Sequence, residues 1–433
     1  MSAYSLPNPA ATSASQLDAW VVAADRANPL AGFRDAFHLP HGPDGQQALY
    51  FAGHSLGPQP RAARQAVLAE LDDWAQHGVE GHFVAKNPWM PYHEQLTAAT
   101  ARLVGAEPAE VVVANTLTVN VHLLLVSFYR PRPGKAKLLI EAGAFPSDRY
   151  AVASQIQWHG FDPATQLIAL APRDGEHALR PDDILAAIDQ HGPELATVLL
   201  GNCNYLTGQA FDMKAIANAG HKHGAYVGFD LAHGAGNLQL NLHDSGADFA
   251  CWCNYKYLNA GPGHLGGLFV HARHHLRTDL PRLTGWWGHD KASRFAMGPD
   301  FVPIAGAEAW QLSNPPILPL AVLRTSMDLF DAAGIDRLRA HGDALTAWLL
   351  QWLDSLPANS HEVWTPRDPA QRGSMLTIAA PKASELVAFL AQHGALVDLR
   401  RPNIVRLTPA PLYTTFADVA ALGRLMQQFF AAA

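Results

Sequence analysis

Cysteine is scarce: Cys203, Cys251 and Cys253 are the only three among 433 residues. So few cannot staple a disulfide scaffold, and they suit a reducing compartment. Charge of one sign is concentrated nowhere; 31 Lys and Arg against 38 Asp and Glu give a formal charge of −7 without acidic or basic blocks. That excludes the electrostatic footprint of a nucleic-acid partner or an anionic membrane surface. No uninterrupted apolar run approaches the roughly 18 residues a spanning helix needs. The opening residues, Met1-Ser2-Ala3-Tyr4-Ser5-Leu6-Pro7, carry neither a basic nor an apolar stretch, so the expected location is cytoplasmic, without export. Repeats and low-complexity tracts are missing as well. Histidine is abundant, at 22, yet no His-Glu-x-x-His or paired Cys-x-x-Cys occurs. Cys251-Trp252-Cys253 alternates along a strand as core residues do, and no resident metal is expected.

The 48% hydrophobic and 16% charged residues describe an ordered globular protein with room for two domains. From about residue 110, short β-rich runs alternate with helical patterns. Strands are expected at 111–115, 137–141, 166–171, 195–200, 225–230, 249–254 and 267–271, with helices at 117–128, 147–159, 181–191 and 213–223. The apolar runs are continuous rather than alternating, as strands buried on both faces require. This predicts an α/β fold with a mostly parallel seven-stranded sheet between helices and right-handed crossovers. Ligands of such sheets gather at the carboxyl ends of the strands. Ser313-Asn314-Pro315-Pro316 breaks the alternation. Beyond it a helical region at 320–356, a strand at 374–379, a helix at 383–393, a hairpin-like segment at 395–407 and a final helix at 416–430 form a smaller α+β unit. The expected division is an N-terminal segment, 1–45, whose helix at 15–27 packs on the small domain, a large domain at 46–315 and a small C-terminal domain at 316–433.

Lys256 lies in Asn254-Tyr255-Lys256-Tyr257-Leu258-Asn259-Ala260-Gly261, 26 positions after Asp230, the last residue of an expected strand. A lysine in an aromatic, glycine-bounded loop can form a Schiff base with an aldehyde. A strand-ending carboxylate can keep a pyridine nitrogen protonated, so that the ring accepts electrons. Together they point to pyridoxal 5'-phosphate. Its phosphate needs N–H groups and hydroxyls at a helix start, which the turn Val113-Ala114-Asn115-Thr116-Leu117-Thr118 supplies. Thr118 is either a phosphate contact or an ordinary helix cap. Phe145 offers a stacking face for the ring, and Asp148 is either a site carboxylate or a capping residue. His233, three residues beyond Asp230, either meets the cofactor region or satisfies its own loop. Tyr255 points away from Lys256 if the backbone is extended, reaching another edge of the cofactor. Of Trp286 and Trp287, one is a site wall and the other packing.

The segments GFDLAHGAGN, DFACWCNYKYLNAGPG, TLTVN, AFPSD, GWWGH and SNPPIL, in this order and spacing, resemble the kynureninase family. The resemblance runs from Tyr50-Phe51-Ala52-Gly53-His54-Ser55-Leu56-Gly57 to Arg406-Leu407-Thr408-Pro409-Ala410-Pro411-Leu412-Tyr413. It implies a fold-type-I pyridoxal phosphate enzyme of the class V aminotransferase superfamily. The implied reaction cleaves L-kynurenine or 3-hydroxy-L-kynurenine to anthranilate or 3-hydroxyanthranilate plus L-alanine, in tryptophan catabolism and NAD biosynthesis. It also implies a homodimer. Its cofactor contacts map onto Leu117, Thr118, Phe145, Pro146, Ser147, Asp148, Asp230, His233, Tyr255, Lys256, Trp286 and Asn314. Substrate contacts map onto Ser55, His82, Asn314 and Arg406, with Lys256, Tyr255 and Asp230 as the catalytic set. Two positions depart from the family pattern: Gly53-His54-Ser55 replaces Gly-Asn-Ser, and Gly201 stands where many members carry a phosphate-binding serine. The competing reading is a class V aminotransferase. A cysteine desulfurase is disfavoured because all three cysteines precede Lys256.

Overall fold

The computed structural model describes residues 4–432. Seven strands form its central sheet: β1 Val111–Val113, β2 Lys137–Glu141, β3 Leu167–Leu170, β4 Leu195–Gly201, β5 Tyr226–Asp230, β6 Phe249–Cys253 and β7 Gly266–Val270. Their spatial order is β1-β7-β6-β5-β4-β2-β3. β7 runs antiparallel to both its neighbours, and the other four pairings are parallel. Burial on both faces explains the unbroken apolar runs: every residue of β6, Phe-Ala-Cys-Trp-Cys, is buried. One face packs against Leu117–Phe128 and Pro146–Trp158 through Leu124, Phe128, Val152 and Ile156. The other packs against Pro181–His191 and Met213–Lys222 through Ile184, Ile188 and Ile216.

A second, four-stranded antiparallel sheet comprises β8 Glu362–Val363, β9 Leu376–Ala379, β10 Asp398–Arg400 and β11 Ile404–Leu407, in the order β8-β9-β11-β10. The helix Ala14–Ala27 lies with it, burying Leu17, Val21 and Ala24 in a core shared with Trp348, Phe416 and Val419. Trp20 adds edge contacts to Trp348 and Phe416, with ring centroids 4.6 and 5.0 Å apart. Among the described residues no helix is long and apolar enough to cross a membrane.

Several expected segments differ in detail. β1 stops at Val113, because Asn115 takes a left-handed conformation (φ 52°) that turns the chain toward the next helix. The single helical region expected at 320–356 is two helices, Ile317–Ala333 and Ile335–Asp354, broken at Gly334, whose φ of 75° suits glycine. Leu320, Leu323, Met327 and Phe330 of the first helix join the core of the large sheet. The hairpin-like segment is divided: Ala395–Leu396 pairs in parallel with Leu49–Tyr50, and only β10 and β11 form the hairpin.

One buried carboxylate ties the sheet together at the end remote from the strand tips. Asp248, 2% exposed, accepts the Val227 N–H at 2.7 Å, His221 Nε2 at 2.9 Å, His274 Nε2 at 2.8 Å and Arg273 Nη2 at 2.6 Å. Burial alone would push this carboxyl up, but the hydrogen bonds from His221 and His274 and the charge of Arg273 hold it well below the usual range. Removing one member of a buried ion pair costs roughly 3–5 kcal/mol, so Asp248→Ala is expected to lower unfolding stability by about that amount in equilibrium denaturation. A group with a depressed native pKa stabilises fully above its unfolded value, near pH 4 for aspartate, and progressively less as pH falls. The unmodified protein should therefore lose more stability than Asp248→Ala between about pH 4 and pH 2. Equal acid sensitivity would show that Asp248 is not the coupled group.

Candidate active site

Parallel β2, β4 and β5 carry their last residues, Glu141, Gly201 and Asp230, to one rim of the sheet, where Gly201 and Asp230 are register partners. A cavity of about 390 Å³ opens there. After β6 the chain bends through residues 254–256 instead of staying extended, so Tyr255 and Lys256 both line the cavity. The alternation expected to separate their side chains does not apply. Lys256 Nζ stands 5.9 Å from the ring centres of Tyr255 and Phe145.

At one end of the cavity two helix starts converge. Thr118 is the second residue of Leu117–Phe128 and Ser147 the second of Pro146–Trp158; their hydroxyl oxygens lie 2.7 Å apart. Converging N-terminal N–H groups and paired hydroxyls make a notch for a tetrahedral anion. Leu117 lines the same wall, and Phe145 stands over the cavity, 45% exposed.

Another part of the lining is acidic and buried. Asp230 accepts the Ala232 N–H at 2.7 Å, and Asp148 is its hydrogen-bonding neighbour. Burial raises the Asp148 carboxyl well above its ordinary range, and the negative charge of Asp230 raises it further. Burial raises Asp230 as well, against the pull of Lys256. The negative charge of Asp230 disfavours ionisation of Asp148. Glu141, pushed up to about 7 by burial, accepts Asn204 Nδ2 at 2.6 Å and the Gly201 N–H at 2.9 Å. His233 is kept neutral, first by burial and then by the positive charges of Lys256 and Arg406. Its Nδ1 has no hydrogen-bond partner among the described residues.

Arg406, 1% exposed on β11, reaches the cavity from the second sheet. Ser55 and His54 form the wall beside it. Of the residues singled out from sequence, Ser55, Leu117, Thr118, Phe145, Ser147, Asp148, Asp230, His233, Tyr255, Lys256 and Arg406 all line this one cavity. Pro146 opens its helix between Phe145 and Ser147 without lining the cavity. Three others lie elsewhere within the chain. His82 is tied by Nδ1 to the Val79 carbonyl at 2.9 Å and packs edge-on against Trp89. Trp286, 39% exposed, lines a separate surface hollow with His289 and Arg294, while Trp287 is the packed member of the pair, 1% exposed. Asn314 is exposed in the loop ahead of Ile317.

The expectation for Gly201 also changes. The atoms nearest to a β-carbon placed there are Glu141 Oε1 (2.9 Å), the Cys203 carbonyl and the Asp230 carbonyl. The position therefore belongs to the acidic end of the cavity, and glycine leaves room for the Glu141 carboxylate. Sequence reasoning missed Glu141, Asn204 and Asp398 as site components, because their partners are remote in the chain. A further group of ligating side chains, Glu110, His243 and His271, does not line the cavity. The Glu110 carboxylate already accepts the N–H groups of Glu107 and Ala272 and His243 Nδ1.

The chain has the fold of the fold-type-I pyridoxal phosphate enzymes. It superposes on an apo cysteine desulfurase from Thermococcus onnurineus with a TM-score of 0.74 at 16% identity, covering 89% of this chain and 95% of that one. A C-DES mutant with glycine covalently linked to its PLP cofactor matches at a TM-score of 0.74 and 18% identity, covering 91% and 98%. Within that class, residues 338–426 match the kynureninase C-terminal domain. The kynureninase of Myxococcus xanthus is 57% identical over 396 residues, 91% of this chain and 93% of that protein. That of Koribacter versatilis is 52% identical over 413 residues, 95% and 97% of the two chains. This chain belongs to the kynureninase family.

The hydroxyl notch can be tested without any organic ligand. A hydrogen bond to a charged group contributes roughly 1.5–3 kcal/mol, so Thr118→Ala is expected to weaken inorganic phosphate binding to the cofactor-free protein at least tenfold by calorimetry. Undiminished binding would place the anion elsewhere.

Proposed function

We propose that the cavity holds pyridoxal 5'-phosphate on Lys256. The protein then cleaves L-kynurenine or 3-hydroxy-L-kynurenine hydrolytically, to anthranilate or 3-hydroxyanthranilate plus L-alanine. One observation carries this reading: Lys256, Asp230 and Arg406 line a single cavity in a chain 57% identical to a kynureninase. The residues present suit the cofactor. The Thr118–Ser147 notch matches its phosphate, the Phe145 face its ring and the Asp230–Asp148 pair its ring nitrogen. The unpartnered Nδ1 of His233 marks a buried polar atom that a ligand would satisfy.

When bound, the cofactor supplies an imine carbon and a protonated ring that accepts electrons from the substrate's α-carbon. Asp230, with Asp148 as its neighbour, would face the ring nitrogen and keep it protonated. Lys256, once the substrate amine has displaced it, is a free amine positioned to take the α-proton and return it. Tyr255 keeps its phenolic proton, since burial pushes its pKa up. As a cavity-lining hydroxyl it would relay a proton to Cβ as water adds to the γ-carbonyl. The water's OH would stay on the departing carboxyl, and the Cβ–Cγ electron pair would pass to the electron sink that the bound cofactor supplies. Arg406 binds the substrate carboxylate through two N–H groups, a geometry lysine cannot reproduce.

The single chain leaves Trp286 and Asn314 outside the cavity and exposed, which supports a homodimer in which the partner's copies reach the site. His82 belongs to the same proposal, as a contact for the substrate's aryl end. The proposed division is an N-terminal segment at 1–45, a large domain at 46–315 and a small domain at 316–433, although the helix Ile317–Ala333 packs on the core of the large sheet. Three buried, unpaired cysteines suit a cytoplasmic enzyme of tryptophan catabolism feeding NAD synthesis.

Two variants test the assignment. Asp230→Ala is expected to retain pyridoxal phosphate at least a hundredfold less tightly, consistent with the loss of a buried charge partner at roughly 3–5 kcal/mol. Unchanged retention and turnover would remove Asp230 from the site. Arg406→Lys should raise KM for kynurenine about tenfold or more, because the bidentate fork is lost; an unchanged KM clears Arg406 of carboxylate binding.

A further inference from the structure

Arg406 is held in place before any substrate arrives. On β10, Asp398 is the register partner of Arg406 on β11, so the two side chains share one face of the small sheet. Arg406 Nε donates to Asp398 Oδ2 at 2.7 Å, Nη2 makes an ion-pair contact with the same oxygen at 2.6 Å, and Nη1 donates to the Tyr205 carbonyl at 2.6 Å. A guanidinium has five N–H groups. Two are committed to hydrogen bonds and Nη2 is in ionic contact with Asp398, so each terminal nitrogen keeps at least one N–H. Two such N–H groups can meet a carboxylate bidentately.

Asp398 is itself held from two more sides. Arg400 Nε donates to Oδ2 at 3.1 Å, and His54 Nε2 stands 3.8 Å from the same oxygen. His54 is fully buried, its Nδ1 lies 2.7 Å from Thr408 Oγ1, and its Nε2 has no hydrogen-bond partner among the described residues. It fills the wall of the cavity behind Asp398, at the position where this chain departs from the Gly-Asn-Ser pattern. Burial alone would raise the Asp398 carboxyl, but the charge and contacts of Arg406 hold it well below the usual carboxylate range.

We propose that Asp398 is the positioning residue that aims the two free N–H groups of Arg406 at the substrate's α-carboxylate, with His54 as the wall that keeps Asp398 in register. The proposal rests on the assignment of Arg406 to that carboxylate. Asp398 touches no reacting atom; it acts through Arg406 alone. Its loss should therefore weaken only ligands that carry the carboxylate.

The test uses the full-length, pyridoxal phosphate-loaded protein with Asp398→Asn, Asp398→Glu, His54→Leu and Arg406→Lys. KM and kcat are measured for L-kynurenine, and Ki for kynuramine, the same skeleton without the α-carboxylate. Asp398→Asn is expected to raise KM about tenfold, the loss of one charge-assisted contact, with kcat within about threefold and the kynuramine Ki unchanged. Asp398→Glu restores part of the KM loss, and His54→Leu raises KM less than Asp398→Asn does. If Asp398→Asn leaves KM unaltered while Arg406→Lys raises it, Asp398 does not position Arg406, although Arg406 still binds the carboxylate. If the kynuramine Ki worsens in step with KM, Asp398 is general scaffolding and the proposal falls. Should Asp398→Asn fail to fold, the Asp398→Glu and His54→Leu profiles decide: no KM change in either overturns the proposal. An unchanged KM in Arg406→Lys would mean that the underlying assignment of Arg406 is wrong.

Discussion

The site is organised around negative charge that has nowhere to go. Asp230 sits at the end of a strand flanked on both sides by parallel neighbours, 8% exposed, with Asp148 and Glu141 also buried beside the same cavity. Burying one unpaired carboxylate costs several kcal/mol or forces it to take up a proton. Three together cannot all ionise. Burial raises Asp148 and Asp230, with Lys256 pulling Asp230 the other way, and Glu141, pushed up to about 7 by burial, is capped by Asn204 and Gly201.

The remainder of the architecture delivers groups to this centre from independent directions. Helix starts after β1 and β2 bring the Thr118–Ser147 hydroxyls, and the bend after β6 brings Tyr255 and Lys256. The small antiparallel sheet brings Arg406, braced across the strands by Asp398. The hydroxyl pair, the lysine and the arginine of the cavity therefore come from different elements. Gly201 shows how close the packing is: glycine there admits the Glu141 carboxylate, which a side chain would displace.

Much of this was legible in the chain. Continuous apolar runs identified the seven strands because both faces of the sheet are buried. Lys256, Asp230 and Thr118 could be singled out from their local sequence context, and the fold brings all three to one cavity. Tyr255 was misjudged in orientation, since a bend replaces the extended backbone that alternation assumes. The break at Gly334 was not anticipated, because an apolar pattern continues through it on both sides. Asp398 and Asn204 carried no readable signal; each acts on a partner that only the folded chain brings near. His82, Trp286 and Asn314 were located by motif alone, and no single-chain geometry brings them to the cavity.

The account depends on which lysine carries the cofactor opposite Asp230. Borohydride reduction of the pyridoxal phosphate-loaded protein, followed by peptide mapping, addresses this directly. A single pyridoxyl adduct on Lys256 is the predicted result. An adduct confined to another lysine, or none at all, would contradict it.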